Sequence, residues 1–282
     1  MGANFGNTVL TNIGSMRNQG VEFSLNTILV ETQDMSLALG MNGTFQQTEF
    51  TKLNNTDDPN YYVQAANSGI SRGTGNNIAR QMVGWAPYTF CLFKQVYDAD
   101  GAPIQNAFVD LNEDGVISQA DRYMTGKSPN PDFFFGLHLK LSYKNWDFGL
   151  NGHGSVGNYV FNDLQGANSS TFVDLNVGSL PNCLESVKKF GFELANSTEQ
   201  YYSDVFLENA SFFRLDDVNL GYTFRSIGNW KNANLRLGFT AQNLFVLTQY
   251  SGIDPELPGV NGIDGSIWPR PRTYSFRVNF NF

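Results

Sequence analysis

The feature that most constrains this chain is a two-residue alternation held for about ten residues at a time. It recurs in seven segments. From Met35 to Phe45, Leu37, Leu39, Met41 and Phe45 share one side, while Ser36, Ala38, Gly40, Asn42 and Thr44 share the other. From Phe133 to Tyr143, Phe133, Phe135, Leu137, Leu139, Leu141 and Tyr143 oppose Gly136, His138, Lys140 and Ser142, with Phe134 breaking the pattern. Trp146, Phe148 and Leu150, then Val218, Leu220, Tyr222 and Phe224, alternate in the same way. So do Leu235, Leu237, Phe239 and Ala241, and Val21, Phe23 and Leu25. The last segment runs Tyr274, Phe276, Val278, Phe280 and Phe282 against Ser275, Arg277, Asn279 and Asn281. A helix would space its apolar residues three and four apart, so these segments are strands.

Any antiparallel sandwich alternates, but three details favour a membrane. The segments approach ten residues, the length that crosses a bilayer at a tilt, whereas soluble strands run nearer five or six. Their polar side is built from Gly, Ser, Asn and Thr, which suits a wet or plugged lumen. Tyr143, Trp146, Tyr222, Phe224 and Tyr274 sit near segment ends, where interfacial girdles belong. Composition agrees: 16% of residues are charged, below the roughly 25% of ordinary soluble domains, and 14% are aromatic. No apolar run reaches the roughly 18 residues of a helical span.

Connections come in two sizes. Lys144-Asn145 and Ser226 to Asn232 are short, while 54–77, 98–132, 159–209 and 249–272 are long. Short turns at one end and long loops at the other is the asymmetry of outer-membrane barrels. Phe282 closes the last strand with an aromatic carboxy-terminal residue, as a barrel-insertion signal does. Met1 leads into polar sequence with no basic or apolar leader, so the expectation for an outer-membrane protein is a missing N-terminal part.

One stretch carries sharp chemistry. Asp110 to Asp121 follows the EF-hand-type calcium loop: Asp110, Asn112 and Asp114 supply oxygens at positions one, three and five, and Gly115 permits the turn at six. Val116 offers a carbonyl at seven and Ser118 an oxygen at nine. Asp121 stands at twelve, one methylene shorter than the usual Glu. No amphipathic helices flank the loop, so it reads as an isolated structural calcium site that stiffens a long loop. The competing reading is an Asx-rich turn that binds nothing.

Other chemistry is weak. The net charge is −8 and the 18 basic residues are scattered, which argues against nucleic acid. Cys91 and Cys183 lack metal-site spacing, and a single bridge between them stays open. His138 and His153 have no evident partner. Asp216 and Asp217 sit at a strand start, and Gly149 to Gly154 opens no helix. Nothing here makes an enzyme attractive.

Several stretches resemble the C-terminal barrel half of SusC/RagA-type TonB-dependent transporters. They are Asn12 to Phe23, with its N-x-G-x-x-x-N-x-G-x-E pattern, and Phe93 to Asp98 followed by the Asp110 loop and Gly126 to Pro131. Ala210 to Tyr222, Ala241 to Phe245, Tyr250 to Glu256 and Pro269 to Tyr274 complete the set, in the family's order along nearly the whole chain. The resemblance implies an all-β, antiparallel transmembrane barrel of about 22 strands around a plug, of which this chain would supply roughly ten. It implies import of a glycan fragment or peptide, energy delivered through TonB, and a SusD-type surface lipoprotein as lid. The loop tyrosines Tyr61, Tyr62, Tyr201 and Tyr202 are the candidates for ligand contact, since aromatic faces stack on sugars. The alternative is a calcium-stabilised surface binding protein or adhesin without transport.

Overall fold

The computed structural model describes residues 12–55, 58–71, 77–168, 199–227, 230–265 and 268–282, together with 185, 190 and 192. It is nearly all antiparallel strand. The chain opens with two long strands, β1 (Ser15–Glu31) and β2 (Met35–Lys52). Six short strands follow: β3 (Tyr62–Gln64), β4 (Ala79–Met82), β5 (Thr89–Phe93), β6 (Gln95–Tyr97), β7 (Pro103–Phe108) and β8 (Arg122–Met124). Then come long β9 (Phe133–Tyr143) and β10 (Trp146–Val156), short β11 (Tyr159–Phe161) and β12 (Leu207–Asn209), and long β13 (Phe212–Ile227), β14 (Trp230–Thr248) and β15 (Thr273–Asn281).

The seven long strands make one sheet in the order β1-β2-β9-β10-β13-β14-β15. Each long strand pairs with the next long strand in the chain, the up-and-down order of a barrel wall. These seven are the seven alternating segments, and β1, β2, β13 and β14 extend well beyond the residues that alternate. The sheet is part of a barrel: it leaves one edge of β1 and one edge of β15 without a partner among the described residues.

Register puts the apolar residues of neighbouring strands on one face. Leu39 opposes Leu139, which opposes Leu150; Tyr143 opposes Trp146, which opposes Tyr222. Large apolar side chains on this face are exposed, among them Phe276 at 68% and Val278 at 56%, as expected of a surface that meets lipid rather than water. The opposite face carries Asn26, Asn42, His138, Lys140 and an Arg236–Asp147 ion pair.

Aromatic residues gather at both ends of the apolar face. Trp146 and Tyr222 meet edge to face at 4.6 Å, and Tyr222 meets Phe224 at 4.6 Å, beside the short turns. At the other end Phe45 stacks on Phe133 at 4.2 Å, and Phe135 faces Phe213 at 6.2 Å. Ten residues separate Phe133 from Tyr143, about 33 Å of strand, or about 25 Å of depth at a tilt of about 40°. That is the height of an outer-membrane apolar band. Glycines make room for the upper rings: a Cβ on Gly43 would fall 2.5 Å from Phe23, and one on Gly154 would fall 2.5 Å from Phe135. The rings lie over bare backbone, an arrangement that pins the register of adjacent strands.

All tight connections lie at one end: 32–34, Lys144-Asn145, and the link from Ile227 to Trp230. Three long excursions, 53–132, 157–211 and 249–272, lie at the other. The loops expected at 54–77 and 98–132 are therefore parts of a single excursion. The stretch between them does not cross the membrane. β5, whose five residues are all buried, is too short to span a bilayer and pairs with β4 and β8 instead. The excursions pack into one outer body around a shared core. Ala65, Ile78, Phe90, Leu92 and Phe93 come from the first, Phe161, Tyr202 and Phe206 from the second, and Ile263 from the third.

Candidate functional site

The outer body carries the chemistry. Its main sheet runs β3-β4-β5-β8. Gln64 opposes Arg80, Arg80 opposes Thr89, and Phe93 opposes Arg122. Residues directly opposite one another in a ladder share a face. Alternation along β5 then puts Arg80 and Arg122 on one face, on either side of Cys91. The Arg80 guanidinium lies 4.0 Å over the Tyr62 ring, and that of Arg122 lies 5.3 Å over the Tyr202 ring.

Two of the four candidate tyrosines therefore touch this arginine pair. Tyr62 is 40% exposed, whereas Tyr202 is buried in the outer core, and Tyr201 is buried with it. Tyr61 is exposed and lines a separate cleft with Leu53, Asp58 and Val83. Arg122 donates from Nε to the Cys91 carbonyl at 2.9 Å, from Nη2 to the Asn77 carbonyl at 2.8 Å and from Nη1 to Gln119 Oε1 at 3.0 Å. Every one of these acceptors is neutral. Burial, and to a smaller degree the Arg80 charge, pulls the Arg122 pKa down; the Cys91 and tyrosine groups act against this. Burial pushes the Cys91 thiol up, against the pull of both arginines. Cys91 is free, and Cys183 lies outside the described residues.

The Asp110–Asp121 loop sits directly before β8. Gly115 has φ +81°, as the turn at position six requires. Its amide donates to Asp110 Oδ2 at 2.8 Å, and the Val116 amide donates to Asp114 Oδ1 at 2.8 Å. Asn112 Nδ2 donates to Asp114 Oδ2 at 2.9 Å. The Asp121 carboxylate accepts from the Leu111 amide at 2.9 Å and the Ser118 amide at 2.8 Å, and Ser118 Oγ caps the Ala120 amide in return. These bonds, led by that from Ser118, hold Asp121 below its ordinary carboxylate range against the opposing effect of burial. Asp110 Oδ1 is buried and has no hydrogen-bond partner. The donor set therefore fits a hard cation only in part, and among the described residues no three acidic, histidine or cysteine side chains come together as a metal would need. Asp110 has an oxygen to give, while both Asp121 oxygens already close the loop through backbone amides.

Sequence reasoning missed a charge network at the barrel rim. Between Leu215 and Asp217 the register slips, leaving Asp216 as the extra residue of a bulge. A bulge re-aims its side chain, and Asp216 Oδ2 lies 2.7 Å from His153 Nδ1. His153 Nε2 lies 3.4 Å from Glu256 in the last excursion. Arg214 is 3% exposed and donates to Asp254 at 2.6 Å, Glu256 at 3.1 Å and Asn243 at 2.6 Å. Arg270 adds a 2.9 Å pair with Glu256. The network ties the last excursion to β10 and β13. Asp217 is separate from it, bonded by Asn151 Nδ2 at 2.9 Å.

Comparison with known proteins gives consistent relatives. The chain is 37% identical to the TonB-dependent receptor SusC of Bacteroides thetaiotaomicron over its whole length, which is 28% of that protein. It is 29% identical to the TonB-dependent receptor P3 of Formosa agariphila, over 97% of this chain and 29% of that one. The receptor P26 of the same organism is 30% identical, over 98% of this chain and 30% of that one. In fold it matches a solved RagAB peptide transporter structure with a TM-score of 0.72 at 22% identity, covering 95% of this chain and 29% of that one. A RagAB peptide importer in an open-open state matches at 0.73 and 20% identity, over the same shares. No family model matches. The chain thus spans less than a third of the relatives it matches, and those relatives are receptors and transporters rather than enzymes. Motifs, fold and whole-length identity agree that the chain is part of the β-barrel of a SusC/RagA-type TonB-dependent receptor.

Proposed function

We propose that the intact protein imports an oligosaccharide or a peptide across the outer membrane. The energy comes through TonB, and a SusD-type lipoprotein closes over the outer body. One observation supports this reading above the others: a lipid-facing sheet continues into a single packed outer body that carries arginines and aromatic side chains. A wall joined to a structured outer body suits capture followed by passage. A surface adhesin needs only the second part. The chain's relatives, TonB-dependent receptors and a peptide transporter, support the same reading.

Uptake of labelled oligosaccharides and peptides by cells that express the full-length protein tests the reading. Uptake should fall to background when TonB is deleted or the proton gradient is collapsed. Surface binding without energy-dependent uptake would sink the import reading and leave the adhesin.

Calcium in the Asp110 loop belongs to the same proposal. Asp110, Asn112, Asp114 and the Val116 carbonyl would hold the ion, with Ser118 and Asp121 closing the loop behind them. The unpartnered Asp110 oxygen supports this. The ion would supply fixed positive charge and rigidity, and no transport step. Calorimetry on the intact receptor should show one calcium site, lost in Asp110→Ala with Asp114→Ala. Unchanged calcium uptake by that variant would end the assignment.

A further inference from the structure

We propose that Arg80 and Arg122, with Tyr62, form a receiving site for a carboxylate carried by the captured molecule. The inference rests on the import reading and narrows its substrate to an acidic one.

The charge balance of the chain makes the pair unusual. Acidic residues outnumber basic ones 26 to 18. Four other arginines have a carboxylate partner: Arg17 with Glu49, Arg214 with Asp254, Arg236 with Asp147, and Arg270 with Glu256. Arg225, Arg272 and Arg277 have none among the described residues, but all three are exposed to water. Among the described residues, neither Arg80 nor Arg122 has one. Cys91, between them, is no counter-ion, because burial keeps its thiol protonated. Arg122 spends its donors on neutral oxygens. Arg80 Nε is buried with no acceptor. A charged donor left unsatisfied away from water is costly, more so beside a second cation.

Tyr62 covers one flat face of the Arg80 guanidinium. Stacking occupies the plane and leaves the edge, where the N–H groups point outward and meet a carboxylate two at a time. Tyr62 is 40% exposed and Arg80 is part-exposed while its Nε is buried, so a carboxylate would meet the Nη end of the fork. Arg122 is buried and fixed by its hydrogen bonds to neutral acceptors, so it adds charge without losing further side-chain freedom.

The carboxylate has two sources, the end of a peptide or an acidic sugar. The test uses the full-length receptor purified in detergent. Its probes are N-acetyltrialanine and its C-terminal amide, and trigalacturonate and its trimethyl ester. At least one free acid should bind about tenfold more tightly than its neutral form, and the pair that differs names the source. Arg80→Gln should remove the difference between the acid and its neutral form. Arg80→Lys, which keeps charge but loses the fork, should restore it in part. Equal binding of acid and neutral forms in both pairs, or a preference that survives in Arg80→Gln, overturns the inference. Energy-dependent uptake is scored separately in cells, so a site without import and import without a site give different results.

Discussion

Asp121 shows how much one carboxylate does in this molecule. It accepts from the amides of Leu111, Asn112 and Ser118, and so folds the Asp110 loop back on itself. Its pKa lies below the ordinary value of about 3.8, so the folded loop binds its proton less readily than the unfolded chain. The stabilisation is complete above that ordinary value and is lost as pH falls through the lower, folded one. Hydrogen exchange on the intact receptor should therefore show the 110–121 amides opening below about pH 4 and staying protected at neutral pH. Asp121→Asn should open the same amides at every pH. Protection unchanged in that variant would mean the loop is held by something else. The sequence pattern identified this loop because its residues are adjacent. The Arg80 and Arg122 pair left no such trace, since only strand register brings those positions to one face.

At the scale of the element, strands were legible where they have two unlike faces. Each alternating segment became a long strand because lipid and lumen demand opposite chemistries on successive residues. The short strands were not legible. Thr89–Phe93 is buried throughout, so no alternation marks it, and one of its two partners, β8, lies beyond the Asp110 loop. The bulge at Asp216 was equally hidden, and with it the partner of His153. The rim network yields a prediction for its element. Arg214→Ala leaves the buried Asp254 without its cation, at a cost of about 3–5 kcal/mol, while Glu256 is part-exposed and keeps Arg270. Limited proteolysis of the variant in membranes should cut within 249–272 while the rest of the outer body resists. Cleavage rates equal to those of the parent would show that Arg214 does not hold this excursion.

For the whole molecule, the two faces of the sheet set what each substitution does. Leu139 lies midway along the apolar face, between Leu39 and Leu150. Leu139→Arg in the full-length receptor should cost about 2–4 kcal/mol of barrel stability, while Lys140→Gln on the lumen side should cost little. Urea unfolding from lipid vesicles reads both, and equal effects would argue against the assignment of faces.

The shared core of the outer body also limits how such receptors can diverge. Phe90, Phe161, Phe206 and Ile263 come from three different excursions and fill one interior. A new substrate preference therefore cannot be installed by grafting one excursion from a relative, because its buried side would meet neighbours shaped for another partner. Single-excursion chimeras should lose resistance to trypsin at the cell surface, and transplanting all three together should recover it. The outer body would then be inherited as a unit, and its specificity would change by substitutions on its exposed faces or by exchange of the whole.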